Sequence, residues 1–271
     1  MKILIDLQGA QSDSRFRGIG RSSLALARAL AQNPGNSEVS LLLNGNLSES
    51  IEDIREAFRE TIPSRRIHVF QAPSPTREQD GANAWRARAA EIVREQYIND
   101  HLPDVVLTTS LFEGYSNDAV SSVGAWTKPC MSAVLHHDLI PFVAPDAYLG
   151  GVGQHAHYFR KIDSLRRADL LLAVSDYSRQ EALTLLELPA DRVVSISSGV
   201  DQKFMRPTGI DVQRLLARLG IHRPMVLCAP GGFDGRKNLQ GLLQAFPLLP
   251  ADLRKRHQLV VASKAHPDEM A

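Results

Sequence analysis

Short apolar runs alternate with stretches of helical period along most of the chain. Lys2 to Gln8 reads as a buried strand. Gly18-Ile-Gly20 then opens a helix whose body, Leu24 to Ala31, is nearly all Ala and Leu and is expected to be buried on most sides. Val39 to Leu43 and Ile67 to Phe70 predict the next strands, with a helix over Ser48 to Arg59 between them and a Pro-rich loop, Gln71 to Gly81, after them. Ala82 to Asn99 carries Trp85, Ala89, Ile92 and Val93 at helical spacing and reads as a helix. Strands follow at Asp104 to Thr108, Cys130 to Leu135, Leu170 to Val174 and Val193 to Ile196. The last two helices between them are marked by Phe159, Ile162 and Leu165 and by a capping box at Ser178-Arg-Gln-Glu181. Strict alternation of this kind predicts an α/β protein, its sheet mostly parallel and clothed by helices on both faces.

Phe204 to Gly209, with Arg206-Pro207, reads as a linker. The expected division is therefore 1–205 and 206–271. Beyond the linker come a short helix (Val212 to Leu219), the strand beginning at Val226, a helix from Asn238 and a strand at Gln258 to Ala262. That is a small complement for an α/β domain of the usual ~100–150 residues. The expectation is a small lobe packed on the first domain, or a shortened second one.

Composition narrows the class without naming it. The chain has 271 residues, 44% hydrophobic and 23% charged, and a formal net charge of +1, so no basic field argues for nucleic acid. Two cysteines, Cys130 and Cys228, lie in separate apolar runs, read as buried thiols and support neither a disulfide framework nor a Cys-based metal site. No stretch reaches the roughly 20 apolar residues of a membrane span. A cytoplasmic protein is expected, with at most peripheral contact at the inner face of a membrane.

Four places carry candidate chemistry. Val226 to Asn238 runs from an apolar strand through Gly231-Gly232 to a helix, and glycines at such a turn let backbone N–H groups approach an anion. Arg236 and Lys237 add two cations there, a placement that next to a helix N-terminus implies a compensating anion. Gly18 and Gly20 follow the first strand, and either bind phosphate or only permit close helix packing; the third glycine of a dinucleotide fingerprint is replaced by Ser23. His137 and Asp138 stand where a strand ends, the edge on which open α/β sheets collect ligands, with His136 expected on the opposite face and Asp138 either orienting the ring or capping the loop. Glu113-Gly114 is favoured as a loop element. The basic residues Arg160-Lys161 and Arg166-Arg167 read as a solvated helix face, with anionic lipid as the alternative.

Gly18-Ile-Gly-Arg21 with Leu24-Ala-Leu-Ala-Arg-Ala-Leu30, His137-Asp-Leu-Ile-Pro141, Ser164-Leu-Arg-Arg-Ala-Asp169, Ser175, Ser178-Arg179, Gly199-Val-Asp201 and Gly231-Gly-Phe-Asp-Gly-Arg-Lys-Asn238 occur in that order. Together they resemble the retaining nucleotide-sugar glycosyltransferases of family 4, in particular the mannosyl- and rhamnosyltransferase-like group of polysaccharide assembly. The resemblance implies the GT-B fold: an N-terminal Rossmann-like domain for the acceptor, and a second such domain, of which this sequence holds the first part, for the donor. It implies that Lys237 contacts the donor diphosphate, that His137 lies near the transferred sugar, and that Gly18 and Gly20 approach donor phosphate. Many members carry an arginine where Gly232 stands, a role Arg236 is expected to take. No metal or other cofactor is implied; GDP-mannose is the donor the group suggests. The family's two-glutamate motif has no counterpart before Ala271, so transfer by these residues alone is expected to be impaired.

The expected activity is transfer of mannose or a related hexose, with retention, from a nucleoside-diphosphate sugar to a saccharide or lipid-linked acceptor in cell-surface polysaccharide synthesis. A catalytically silent acceptor-binding module completed by a partner chain is the alternative. A nucleotide-cofactor oxidoreductase is a weaker one.

Overall fold

The computed structural model describes residues 1–126, 130–200, 204–205, 208–209, 211–230 and 235–263. It divides into two compact units, Met1–Val200 and Asp201–Ala271. In the first, the elements run β1 (Lys2–Asp6), α1 (Gly18–Gln32), β2 (Glu38–Asn44), α2 (Ile51–Phe58), β3 (Ile67–Phe70), α3 (Ala84–Asp100), β4 (Val105–Thr108) and β5 (Met131–His136). The short α4 (Ile140–Val143) and α5 (Pro145–Tyr148) follow, then α6 (Val152–Arg167), β6 (Leu170–Ala173), α7 (Asp176–Leu185) and β7 (Val193–Ser195). Seven strands form one sheet in the order β3-β2-β1-β4-β5-β6-β7, every pairing parallel. The predicted α/β architecture is the one observed. Chain direction across the sheet reverses between β1 and β4, the switch point where such sheets open a crevice at the strands' carboxyl ends.

Alternation along the strands builds a core on each face. Ile5, Leu41 and Leu43 pack with Ala27 and Ala31 of α1 and Ile54 and Phe58 of α2. Leu4 and Leu42 point the other way, to Ala90 and Ile98 of α3. Val134, Leu171 and Ala173 continue that second face under Ile162 and Leu165 of α6 and Ala182 and Leu186 of α7. Each residue in a strand turns its side chain opposite to its neighbour, so an all-apolar strand serves both layers.

Several local expectations change. Helix α1 is amphipathic rather than buried on most sides: Gly20, Ser23, Ala27 and Ala31 make its buried line, while Ala25 and Ala29 face solvent. The cap of α7 is Ser175, whose Oγ accepts from the Ser178 amide at 3.0 Å, so Ser178 is the third helical residue and not the start of a capping box. Cys130 and Cys228 are free, half-buried thiols.

Helix α3 is turned over relative to its apolar stripe. Trp85 is 64% exposed, and Ile92 and Val93 also face solvent, while Glu91, Arg94 and Glu95 are buried. Partners explain the inversion. Arg94 donates to Asp6 of β1 from Nε at 2.8 Å and Nη2 at 2.5 Å, and to the Ser122 carbonyl from Nη1 at 3.0 Å. Glu95 accepts from Ser122 Oγ at 2.5 Å and from the Ala125 and Trp126 amides at 3.1 and 2.8 Å. Glu91 meets Arg88 at 2.7 Å, Arg160 at 2.7 Å and Lys161 at 3.4 Å. Buried charges persist when paired and hydrogen-bonded.

The second unit holds α8 (Val212–Arg218), β8 (Met225–Cys228), α9 (Leu239–Ala245), α10 (Ala251–Arg256) and β9 (Gln258–Val261). β8 and β9 pair in parallel from Met225↔Gln258 to Cys228↔Val261. Part of the linker stretch, including Arg206-Pro207, lies outside the described residues.

Candidate functional site

At the switch point, the chain leaving β1 and the chain leaving β4 come into close contact. A Cβ on Gly9 would sit 2.5 Å from Ser110 Cβ, so only glycine fits there. Thr109 is tied to β1 through its amide and Oγ, both donating to the Asp6 carbonyl, at 3.3 and 2.7 Å. Beneath these loops lies a polar floor. Gln8 Nε2 donates to Asp6 and to the Val120 carbonyl, Asn44 Nδ2 donates to Gln8 Oε1 at 2.8 Å, and Gln11 Oε1 accepts from the Asn44 amide at 2.7 Å. None of Gly9, Gln8, Asn44 or Arg94 stood out in the sequence. The signal was Asp6, a carboxylate ending an otherwise apolar strand.

Helix α1 begins at Gly18 beside this floor. Gly20 packs on the turn before the helix: a Cβ there would lie 2.5 Å from Arg15 Cα and 2.7 Å from Arg15 N, and would also strike the Ser14 carbonyl. Close packing therefore accounts for Gly20. Gly18 is different, since a Cβ there meets nothing within 4 Å, and no side chain caps the helix start. Further along α1, Ser23 Oγ reaches the Thr109 carbonyl at 3.4 Å.

His136 ends β5 and His137 follows it, and the two rings turn to different neighbours, as alternation requires. His136 is 1% exposed, and burial holds its pKa at about 4, against smaller upward pulls from Asp138 and the Ser178 backbone. His137 is half-buried near the Thr109 backbone. Burial again lowers its pKa, opposed by Thr109 and Asp138. Both imidazoles are thus neutral near pH 7. Asp138 caps the following turn, its Oδ1 accepting from the Ile140 amide at 3.1 Å. The His137 carbonyl accepts from Ser178 Oγ at 2.5 Å, fixing the strand end to α7.

Around Asp138 lies a group of unsatisfied polar atoms. Both ring nitrogens of His136, Nε2 of His137, the hydroxyl of Tyr158 and Oε2 of Glu181 are buried and meet no well-formed hydrogen-bond partner among the described residues, the nearest backbone being that of Ser178 for His136 and of Phe142 for Tyr158. All four residues feel the charge of Asp138. Buried polar atoms are ordinarily paired, and a cluster of exceptions at one strand end suits a hydroxyl-bearing ligand or bound water. Glu113 does not join them: it accepts from Ser110 Oγ at 3.0 Å and Asn117 Nδ2 at 3.1 Å, which ties its loop together.

The basic run on α6 is neither solvated nor a lipid contact at its centre. Lys161 is 2% exposed and donates to the Ser121 carbonyl. Burial depresses its pKa to about 8 despite Glu91. Arg160 bridges Glu78 and Glu91. Burial alone would raise the pKa of Glu78, but the hydrogen bond with His157 and the charges of Arg160, His157 and Arg88 outweigh it and hold the value at about 2. Arg166 is exposed, 3.5 Å from Asp163.

In the second unit, Arg236 and Lys237 are exposed on the 3-10 turn Gly235–Lys237. The turn leads into Asn238, whose left-handed backbone (φ 48°) and side chain, accepting from the Gly241 amide at 3.2 Å, start α9. Gly231 and Gly232 lie outside the described residues. Among the described residues no group of His, Cys, Asp and Glu is placed to hold a metal ion, and no helix is long and apolar enough to cross a membrane.

No family model matches the chain. Its fold is similar to that of the UDP-GlcNAc 2-epimerase of Neisseria meningitidis, solved bound to UDP-GlcNAc: TM-score 0.59 and 14% identity, over 100% of this chain and 67% of that one. That likeness defines a class by fold, the GT-B architecture. Sequence is more specific. The chain is 34% identical over its whole length to the serotype-specific mannosyltransferase WbdA of Escherichia coli, covering 32% of that protein. It is 30% identical over 46% of its length to the O-antigen chain mannosyltransferase B of Escherichia coli, covering 33% of that protein. The chain belongs to this mannosyltransferase-like family of GT-B glycosyltransferases. It spans about a third of the length of the curated relatives it matches.

Proposed function

We propose that this chain contributes the acceptor-side domain and the first part of the donor-side domain of a retaining mannosyltransferase. The enzyme would transfer a hexose from a nucleoside-diphosphate sugar, GDP-mannose by kinship, to a saccharide or lipid-linked acceptor in O-antigen-like polysaccharide synthesis. The observation that carries the reading is the set of unsatisfied polar atoms around Asp138, at the carboxyl edge of a sheet whose sequence is related throughout to mannosyltransferases. Neutral His137, with Nε2 unpaired, suits a sugar hydroxyl. Lys237 and Arg236 suit the diphosphate, which gains charge as it leaves, so that fixed cations lower the barrier. Backbone N–H groups at the helix start of Gly18 suit phosphate oxygens. Asp138 shapes the turn that carries His137. A peripheral position at the inner membrane face would follow from a lipid-linked acceptor.

The test is transfer of labelled mannose from GDP-mannose to a lipid-linked saccharide, with the anomeric configuration of the product read by NMR. His137→Ala should lower transfer and donor hydrolysis together, and an unchanged rate for both removes His137 from the site. The limited coverage of the relatives favours one further reading, an acceptor-binding module that is silent alone. Transfer by this chain without a partner would eliminate it.

A further inference from the structure

At the opposite, amino-terminal edge of the seven-stranded sheet lies a pocket of about 270 Å³, lined by Lys2, Glu38, Arg65, Arg66, His68 and His101 among others. Lys2 and Glu38 are the first residues of β1 and β2, Arg65 and Arg66 immediately precede β3, and His101 caps the end of α3. The pocket thus lies at the far end of the strands from His137. Its volume is just under the roughly 300–1,000 Å³ of drug-sized ligand sites, which suits a small group.

Charge in this pocket is predominantly positive, Lys2, Arg65 and Arg66 against Glu38. Neither Lys2 Nζ nor the guanidinium of Arg65 forms an ion pair among the described residues, and Arg66 makes only a long contact from Nη1 to the Val39 carbonyl at 3.4 Å. Nε of Arg66 is buried with no hydrogen-bond partner among the described residues. The carboxylate in the lining, Glu38, makes no salt bridge among the described residues. The nearby Asp104 is turned onto the Lys2 amide at 2.6 Å. His68 and His101 meet edge to face at 4.2 Å, and Tyr97 stacks on His101 at 4.4 Å, so the two imidazoles are held in place. Two guanidinium forks and an ammonium stand against one carboxylate around this small cavity, and the two imidazoles lie beside them, with His101 Nδ1 already meeting the Tyr97 carbonyl at 2.8 Å, so donors outnumber acceptors. Planar Arg donors match the oxygens of phosphoryl groups.

We infer that this pocket is an oxyanion site that takes a phosphoryl or diphosphoryl group, separate from the site at the carboxyl edge. Such a group arrives either on a soluble phosphate compound or as the headgroup of an anionic lipid. Both present the same oxygens to Arg65, Arg66 and Lys2. Its occupancy would also relieve His68, whose pKa is lowered by burial and then by His101.

The experiment titrates inorganic pyrophosphate into the protein and follows the imidazole resonances of His68 and His101. Saturable shifts of both are expected, with the pKa of His68 rising. Arg65 is exposed, so Arg65→Gln leaves the fold intact and should weaken binding about tenfold, the loss of one charge-assisted hydrogen bond. Glu38→Gln should tighten it. In parallel, sedimentation with phosphatidylglycerol vesicles against phosphatidylcholine vesicles separates the sources. Vesicle binding that Arg65→Gln abolishes identifies a lipid headgroup, and pyrophosphate binding without vesicle binding identifies a soluble phosphate. Absence of saturable shifts with pyrophosphate, together with no preference for phosphatidylglycerol over phosphatidylcholine vesicles, overturns the site. So does an affinity that neither variant changes.

Discussion

The two glycines at the start of α1 give the sharpest prediction, because the structure assigns them different physics. In Gly20→Ala the new methyl would lie 2.5 Å from Arg15 Cα and 2.7 Å from Arg15 N, about 1 Å inside ordinary contact, and everything it meets is backbone. Relieving such an overlap costs about 1–3 kcal/mol. Alanine returns up to about 1 kcal/mol of helix propensity, leaving, at the middle of the two ranges, a net loss of about 1.5 kcal/mol. For a domain of this size that lowers Tm by about 2–8 °C. Gly18→Ala has open space and no left-handed backbone to support, so it should leave Tm unchanged or raise it through a stiffer unfolded chain. Turnover should separate the two again. If donor phosphate approaches the helix start at Gly18, a methyl there stands in its way, and sugar transfer should fall about tenfold or more while stability holds. Calorimetry and a transfer assay on the two variants suffice. A destabilised Gly18→Ala, or a Gly20→Ala of wild-type Tm, would refute the packing argument. Full transfer by Gly18→Ala would sink the phosphate role.

Lys237→Ala should lower transfer about 10²-fold or more if Lys237 stabilises the leaving diphosphate, measured at saturating donor; wild-type turnover removes it from that role. Stability should fall on acidification from pH 6.5 towards 4. His136 binds a proton in the unfolded chain but not in the fold, where its pKa is about 4, so protonation favours unfolding by about 2 kcal/mol at pH 5. Urea unfolding at pH 7 and pH 5 should show a smaller pH dependence in His136→Gln, and an identical one would exclude His136 as the cause. Arg94→Met leaves the Asp6 carboxylate buried and unpaired, and should destabilise by about 3–5 kcal/mol in denaturant titration. Adding Asp6→Asn should recover part of that loss, and strict additivity of the two changes would contradict a coupled pair.

The strands were legible because a parallel sheet buried on both faces needs continuous apolar runs, and Ile67–Phe70 is read from sequence with the bounds the structure gives it. Helix α1 was located correctly but its burial was not, since Ala is at home on either surface of a helix. His137 and Asp138 were placed at a strand end by position alone, while the partnerless atoms of His136, Tyr158 and Glu181 depend on tertiary packing that no local pattern carries. Gly9 escaped notice for the same reason: its constraint is Ser110, a residue distant in sequence.

Helix α3 shows where hydrophobic periodicity stops being informative. The rule that the apolar stripe faces inward assumes that burying a charge costs more than exposing an apolar side chain. In α3 the assumption fails, because the partners are supplied from outside the helix: Asp6 from β1, Ser122 from the loop after β4, Arg160 and Lys161 from α6. With those in place, turning the helix to bury Trp85, Ile92 and Val93 would strand Asp6 and Lys161, each needing its counter-charge. Exposing the three apolar side chains costs at most about 1.5–3 kcal/mol apiece, and Ile92 and Val93 are only 45% and 37% exposed, while each unpaired buried charge costs about 3–5 kcal/mol. The inverted orientation therefore wins, and it has a consequence for the site. Asp6 holds Arg94 through its carboxylate and Thr109 through its carbonyl, and Thr109 lies against His137. The charged face of α3 is thus the support on which the switch-point loops rest.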